Sequence, residues 1–226
     1  MQKVIKAIIF DLDGVIINSN PAIETFWKSW TDKEGVDLTD TLIREWIYGR
    51  KVGDTLTGLF NHVSDKRKKE IEQSAFDFDS TMKPGAIGGV VEFIASLHSL
   101  PVPIGVVTSS HHSRMFTMLK NLGIENKFTH FVTANDVTRG KPHPEPYLKM
   151  SAKMNLPTHA CLVFEDAVSG IQSAVAAGMH TIGIGNEKAK QDLLLHGAAD
   201  VVIDFTHINV NQKNLSVING SVFSVA

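Results

Sequence analysis

Hydrophobic residues along the chain form short continuous runs that alternate with segments of helical spacing. Residues 4–10 form the first run, which is continuously apolar after Lys6, and later runs lie at 102–107, 160–164, 181–184 and 201–203. Short continuous apolar runs are typical of strands that are buried on both faces of a parallel sheet. The alternation of such runs with helical segments therefore predicts an α/β fold, with a doubly wound, Rossmann-like parallel sheet covered by helices.

Residues 19–82 interrupt this alternation. Their apolar residues, Trp27 and Trp30 among them, are spaced as on amphipathic helices and stand among many charged residues. We predict that this segment is an inserted α-helical cap domain, and that residues 1–18 and 83–226 form the α/β catalytic core.

Composition narrows the class of protein. The chain has 226 residues, of which 43% are hydrophobic, and its formal net charge is −2. A chain with no basic excess is not expected to bind nucleic acid, and no apolar stretch reaches the length of a membrane span. The single cysteine, Cys161, lies in an apolar run and is interpreted as a core residue. These features favour a cytoplasmic protein with no membrane partner, and we expect a monomer or a weak dimer.

Two carboxylates, Asp11 and Asp13, follow the first apolar run and are separated by one residue. Side chains at positions i and i+2 of a strand point to the same face, so the two charges would converge. Such a pair requires a cation or a proton to relieve the repulsion, or it divides a nucleophile from a general acid.

Further polar residues stand at the ends of the next apolar runs. Thr108 and Ser109 follow the run at 102–107, and Glu165 and Asp166 follow the run at 160–164. Hydroxyls and free N–H groups at a junction of strand and helix form an anion site. In parallel sheets, ligands bind at the carboxyl ends of the strands, which is where these residues lie. Between them, Lys141 precedes the first of three closely spaced prolines, which restrict how it is presented.

These four motifs, in this order, resemble those of the haloacid dehalogenase superfamily. The similarity is greatest to the branch that holds β-phosphoglucomutase and small sugar-phosphate phosphatases. It rests on 11–15, 108–110, 141–142 and 165–166, and it covers residues 4–205. The resemblance implies phosphoryl transfer by a Mg²⁺-dependent enzyme acting on a small phosphorylated substrate.

The same resemblance implies roles for individual residues. Asp11 is the expected nucleophile, which forms an aspartyl phosphate. Asp13 is the expected general acid and base, for which its pKa must rise above the usual value near 3.9. The expected metal ligands are Asp11, the backbone carbonyl of Asp13, and Asp166, with Glu165 orienting them. The expected phosphate ligands are Thr108, Ser109 and Lys141.

Phosphatase is favoured over phosphomutase. The family's mutases hold the general acid with a histidine at the cap hinge, and residues 19–23 contain none. Asn18 stands where an aspartate is usual. Arg50 and Lys51 fall in the loop that resembles the family's cap specificity loop, although the arginine is shifted from the mutase position. A β-phosphoglucomutase-type mutase remains the alternative, and a non-catalytic phosphometabolite-binding protein is an alternative of another class.

The tail, residues 210–226, has apolar runs around the pair Asn219-Gly220. An Asn-Gly pair between such runs indicates a β-hairpin. We place this hairpin on a sheet edge, with dimer contact as the alternative.

Overall fold

The computed structural model describes residues 4–98, 100–211, 214–218 and 220–225. Ten strands lie in these ranges: Val4–Ile5 (β1), Ala7–Phe10 (β2), Ile104–Val107 (β3), His130–Val132 (β4), Cys161–Glu165 (β5), His180–Ile184 (β6), Asp200–Val202 (β7), Ile208–Val210 (β8), Asn214–Val217 (β9) and Val222–Val225 (β10). The α-helices in the same ranges are Asn20–Lys33 (α1), Asp40–Trp46 (α2), Val52–Leu59 (α3), Asp65–Thr81 (α4), Val90–Leu97 (α5), His112–Asn121 (α6), Glu145–Met154 (α7), Val168–Ala176 (α8) and Glu187–Leu195 (α9).

Six of the strands form one parallel sheet in the order β4-β3-β2-β5-β6-β7. β2 lies in its interior, with Ile8 opposite Ile104 of β3 and Leu162 of β5. The change of direction in strand order on either side of β2 is the mark of a doubly wound sheet, and the crevice at that point is the usual ligand site. The predicted fold class is confirmed.

Two hydrophobic cores cover the two faces of this sheet. Alternate residues of β2 serve different cores: Ile8 and Phe10 belong to one, and Ala7 and Ile9 to the other. Phe10 stacks on Phe164 of β5 with ring centroids 5.2 Å apart. Because successive side chains of a strand point to opposite faces, a run of apolar residues is what a doubly covered strand requires. None of the described helices combines the length and hydrophobicity needed to cross a membrane.

Helices α1–α4 form a helical insertion between β2 and α5, and this name is used below for residues 20–81. The insertion has a hydrophobic cluster of its own, built around Trp27, Leu56, Phe60 and Ile71. Its longest helix, α4, begins at a Ser64 cap, whose side chain accepts a hydrogen bond from the Arg67 backbone N–H. The sequence pattern therefore located the helical segment correctly, while the exact domain boundaries remain a prediction.

The predicted strand 4–10 is divided in the structure. Lys6 is exposed and separates β1 from β2. β1 leaves the main sheet and pairs in parallel with β10, as part of a second sheet ordered β1-β10-β9-β8. Strands β9 and β10 pair antiparallel as expected for a hairpin, but they lie inside this small sheet rather than on the edge of the large one. Asn219 of the predicted turn lies outside the described residues.

Candidate active site

The polar residues at the strand ends surround one cavity of about 300 Å³. Asp11 directly follows β2, Thr108 follows β3, and Asp166 follows Glu165, the last residue of β5. The insertion covers this end of the sheet and contributes the aromatic side of the cavity. The predicted site residues that line it are Asp11, Asp13, Arg50, Lys51, Thr108, Ser109 and Asp166.

Lys141 lies beneath the cavity, between two carboxylates. Its Nζ is 2.8 Å from Asp11 Oδ1 and also donates to Glu165 Oε1. Tyr147 donates a further hydrogen bond, of 2.5 Å, to the same Glu165 oxygen. Burial alone would lower the pKa of Lys141, but the two carboxylates outweigh it and raise that pKa above its usual range. Lys141 is therefore a fixed positive charge beside Asp11.

Asp11, Glu165 and Asp166 form an acidic cluster in which one oxygen of each carboxylate lies within 4.8 Å of the others. Burial, and then the neighbouring carboxylates, raise the pKa of Asp166 well above its usual value. Burial raises the pKa of Asp11 as well, although Lys141 opposes the shift. Glu165 Oε2 is buried without a hydrogen-bond partner among the described residues. A cluster of buried carboxylate oxygens with spare lone pairs fits a hard divalent cation such as Mg²⁺.

Small residues leave room for this cluster. A Cβ added to Gly14, whose φ is +71°, would lie 2.1 Å from Asp166 Oδ2. A Cβ on Gly170 would lie 2.0 Å from the Glu165 carboxyl carbon. Asn20, at the start of α1, donates a 2.6 Å hydrogen bond to Asp166 Oδ2 and fixes that carboxylate from the side of the insertion. Both acids are therefore held in place by contacts that allow little displacement.

Asp13 lies outside the acidic cluster, and its carboxylate is surrounded by hydrogen-bond donors. Its two oxygens receive hydrogen bonds of 2.8 and 2.7 Å from Arg114, one of 2.5 Å from Ser19 and one of 3.1 Å from Ser110. Burial would raise the pKa of Asp13, but Arg114, Ser19 and Ser110 together outweigh it and lower the pKa. The expected rise of this pKa is thus not found, because a charge-assisted pair replaces the apolar surroundings that a rise requires.

The turn after β3 carries the predicted phosphate ligands. Thr108 is buried, and its Oγ1 accepts a 3.1 Å hydrogen bond from the Ser110 backbone N–H. The turn leads into helix α6, so its polar groups lie at the positive end of that helix. The Ser109 hydroxyl donates a 2.6 Å hydrogen bond to the Gly49 carbonyl of the insertion.

Arg50 and Lys51 line the cavity, but both already donate to backbone carbonyls of the core. Arg50 Nη1 donates to the Lys141 carbonyl at 3.1 Å. Lys51 Nζ donates to the carbonyls of Ala134 and Val137, at 3.2 and 2.7 Å. The two cations therefore join the insertion to the core in this structure, and their part in substrate specificity remains a prediction.

Three residues that contact the site were missed by the sequence analysis: Asn20, Arg114 and Tyr147. Asn20 and Tyr147 orient acids that were identified, and Arg114 contacts Asp13 from a helix 101 residues away in the chain. A weak signal existed for Arg114, which is an arginine in the first turn of a helix that starts just after the phosphate turn.

Comparison with known proteins agrees with this geometry. A family model described as haloacid dehalogenase-like hydrolase matches residues 8–184. The chain belongs to the haloacid dehalogenase-like hydrolase family. The resemblance inferred from the four motifs is confirmed, and the matched residues include all four.

Two curated relatives that align over most of this chain are named as phosphatases. The chain is 31% identical, over 87% of its length and 95% of the relative's, to validoxylamine A 7'-phosphate phosphatase of Streptomyces hygroscopicus subsp. limoneus. It is 30% identical to hexitol phosphatase A of Escherichia coli K12, over 88% of this chain and 94% of the relative. Among solved structures, one from Bacteroides vulgatus, provisionally named a β-phosphoglucomutase, superposes with a TM-score of 0.77 at 28% identity, over 90% of this chain and 85% of that one.

Proposed function

We propose that this protein is a Mg²⁺-dependent phosphatase that hydrolyses a phosphorylated sugar or polyol through an aspartyl phosphate on Asp11. The observation that carries the proposal is the contact between Asp11 and the buried Lys141, beneath a cavity that Asp11, Thr108 and Asp166 line. Two relatives similar over most of their length are named for the phosphates of validoxylamine and hexitols, which supports a polyhydroxylated leaving group.

Mg²⁺ would be held by Asp11, the backbone carbonyl of Asp13, and Asp166, with Glu165 and Asn20 orienting these ligands. Bound there, the ion would neutralise the charge that otherwise repels a phosphate dianion from a carboxylate. The supporting observations are the clustered carboxylate oxygens and the unpartnered Glu165 Oε2.

In the first step, an oxygen of Asp11 attacks phosphorus while the bond from phosphorus to the ester oxygen breaks. Asp13 gives a proton to the departing alkoxide, which leaves as an alcohol. Lys141, Thr108 and the N–H of Ser109 stabilise the negative charge that develops on the phosphoryl oxygens.

In the second step, Asp13 takes a proton from water, which attacks phosphorus. Inorganic phosphate departs and the Asp11 carboxylate is regenerated. The donors around Asp13 lower its pKa and so favour the ionised carboxylate, which is the form that takes a proton in this step.

The acceptor is water rather than a second sugar phosphate. A mutase must bind a second phosphate in the same cavity, and that requires a cation with free donors. The cations from the insertion that line the cavity, Arg50 and Lys51, donate to core carbonyls, and Arg114 donates to Asp13, so a second phosphate would have to compete with these contacts. This favours hydrolysis over isomerisation.

A screen of hexose and polyol monophosphates for inorganic phosphate tests the proposal. Both products of β-glucose 1-phosphate, inorganic phosphate and glucose 6-phosphate, are measured in one reaction mixture. We expect phosphate release through many turnovers without an added bisphosphate. Efficient isomerisation with negligible phosphate would instead establish a mutase, and binding without any turnover would establish a non-catalytic sensor.

The metal and the nucleophile are tested separately. Stripping the metal with EDTA should abolish activity, and Mg²⁺ should restore it. Asp11→Asn should remove turnover and the covalent phosphoryl-enzyme. Asp32→Asn, at an exposed surface pair with Lys28, is a matched control that should leave both unchanged. Hydrolysis at the wild-type rate in EDTA would contradict the metal assignment.

The same proposal assigns residues 19–82 to a cap domain and residues 1–18 and 83–226 to the catalytic core. The separate hydrophobic cluster of the helical insertion supports this division.

A further inference from the structure

Asp13 is held by an arginine that belongs to none of the four motifs. Arg114 lies in the first turn of α6 and is 8% exposed. Its two terminal nitrogens each donate to a different oxygen of Asp13, Nη1 at 2.8 Å and Nη2 at 2.7 Å. A two-point guanidinium contact fixes both the position and the plane of a carboxylate, which a lysine cannot do.

Other donors complete the surroundings of this carboxylate. Ser19 donates to one oxygen of Asp13 and Ser110 to the other. A carboxylate offers about four lone-pair sites, so Asp13 has a donor for each of them. To face a leaving group in the cavity, Asp13 must give up at least one of these four contacts.

A second carboxylate lies behind Arg114. Asp79, in the last turn of α4, places Oδ1 3.1 Å from Arg114 Nε. The pair is close, but its geometry is not that of a hydrogen bond, and Nε is buried without a hydrogen-bond partner among the described residues. Arg114 therefore lies between the acid of the core and the final helix of the insertion, with one donor still available to Asp79.

We propose that Arg114 is the positioning residue of Asp13, and that Asp79 links it to helix α4 of the insertion. This inference rests on the proposed function, because it gives Asp13 the role of acid and base. Arg114 holds the Asp13 carboxyl in one orientation while the insertion covers the site. A small movement of α4 changes how Arg114 is shared between the two carboxylates, and so changes the reach of Asp13.

The competing explanation is that Arg114 binds the substrate phosphate directly, since it also lines the cavity. The two explanations differ in how Arg114 and Asp13 combine. A residue that acts through Asp13 loses its effect once Asp13 can no longer transfer a proton, whereas a phosphate ligand retains it.

A double-mutant cycle with two substrates makes this distinction. We would measure kcat/KM for p-nitrophenyl phosphate and for a hexitol 6-phosphate, using Arg114→Met, Asp13→Asn and the double variant. This ratio covers the steps up to release of the leaving group. Nitrophenolate leaves without a proton, whereas the alkoxide requires one, and general acid catalysis is worth about 10²–10⁴-fold.

We expect Arg114→Met to lower kcat/KM about 10²-fold for the hexitol phosphate and less than about tenfold for p-nitrophenyl phosphate. On the Asp13→Asn background, the further loss should be under about threefold. Arg67→Met, an ion-paired arginine within the insertion and outside the cavity, is the matched control and should change neither rate.

Thermal unfolding establishes that each variant is folded. If Arg114→Met does not fold, Arg114→Lys and Asp79→Asn take its place: the lysine keeps the charge without the two-point contact, and the asparagine removes the charge of the second partner. Each should show the same selective loss on the hexitol phosphate. Equal losses on both substrates that add to the effect of Asp13→Asn would overturn the inference while the wild-type activity stands. A wild-type protein that hydrolyses neither substrate would remove the proposed function itself, and this inference with it.

Discussion

The substitution Gly14→Ala tests how tightly the structure holds the proposed metal site. Gly14 has a φ of +71°, and an added Cβ would lie 2.1 Å from Asp166 Oδ2 and 2.5 Å from Asn20 Nδ2. Neither side chain can move away freely, because Asn20 and Asp166 are hydrogen-bonded to each other at 2.6 Å. The methyl group must therefore displace the Asp166 carboxylate or shift the backbone.

Gly35 provides a matched control for this change. Its φ of +72° is almost the same, but nothing lies within 4 Å of an added Cβ. Gly35→Ala thus measures the cost of the backbone conformation alone, which is about 1–2 kcal/mol for a residue with a side chain. Gly14→Ala should add the cost of overpacking, about 1–3 kcal/mol. The difference between the two variants isolates the contact with Asp166 and Asn20.

Two measurements determine how each substitution affects stability and metal binding. Urea unfolding gives the free energy of unfolding of each variant, and the Mg²⁺ dependence of phosphate release gives the half-saturating metal concentration. Misplacing an orienting contact typically weakens metal affinity or activity about 10–100-fold, so half-saturation should rise by that factor for Gly14→Ala and remain unchanged for Gly35→Ala. Equal stability and equal Mg²⁺ dependence in the two variants would refute the reasoning.

Three further results are expected. Asn20→Ala should raise the half-saturating Mg²⁺ concentration with little change in stability, and an unchanged metal titration would show that Asn20 does not orient Asp166. Ser64→Ala removes the cap of α4 and should lower the free energy of unfolding by about 1 kcal/mol, measured in urea, with activity preserved. Backbone N–H groups of Thr138 and Arg139 lower the pKa of Glu145 from 4.5 to about 2, so its stabilisation is present above pH 4.5 and is lost as the pH falls towards 2. Glu145→Gln should flatten the acid limb of the stability profile in that window, and an unchanged limb would count against this contact.

The sequence predicted those site residues that combine a reactive side chain with a position at the end of a strand. Asp11, Thr108 and Asp166 follow strands, and the ends of parallel strands meet at one edge, so their proximity follows from the fold class. Arg114 could not be found in this way, because its partner depends on how α6 turns its first residues towards β2. Asp79 is harder still to predict from the sequence, because its contact with Arg114 depends on how α4 packs against the core.

The same limit applies to the chain termini. Alternating residues in the tail predicted strands β9 and β10, a local property. Their neighbours, β1 on one side and β8 on the other, are set by packing over long range. An apolar run interrupted only by Lys6 does not show that its first two residues belong to a different sheet from the rest, as Val4 and Ile5 do.

The contacts between the insertion and the core affect which loop residues can be substituted during evolution. Ser109 donates to the Gly49 carbonyl and Ser169 to the Tyr48 carbonyl, so these two contacts hold the backbone of the loop, whereas Arg50 and Lys51 contact the core through their side chains. Every residue type supplies that carbonyl, so these two contacts do not depend on which side chains the loop carries. Gly49 is the exception, since its φ is +69° and a Cβ would lie 2.5 Å from Ser169 Oγ. Substitution of Arg50 or Lys51 would remove a side-chain contact with the core but leave the contacts to the Tyr48 and Gly49 carbonyls, so the loop can change these side chains while its backbone stays attached to the enzyme.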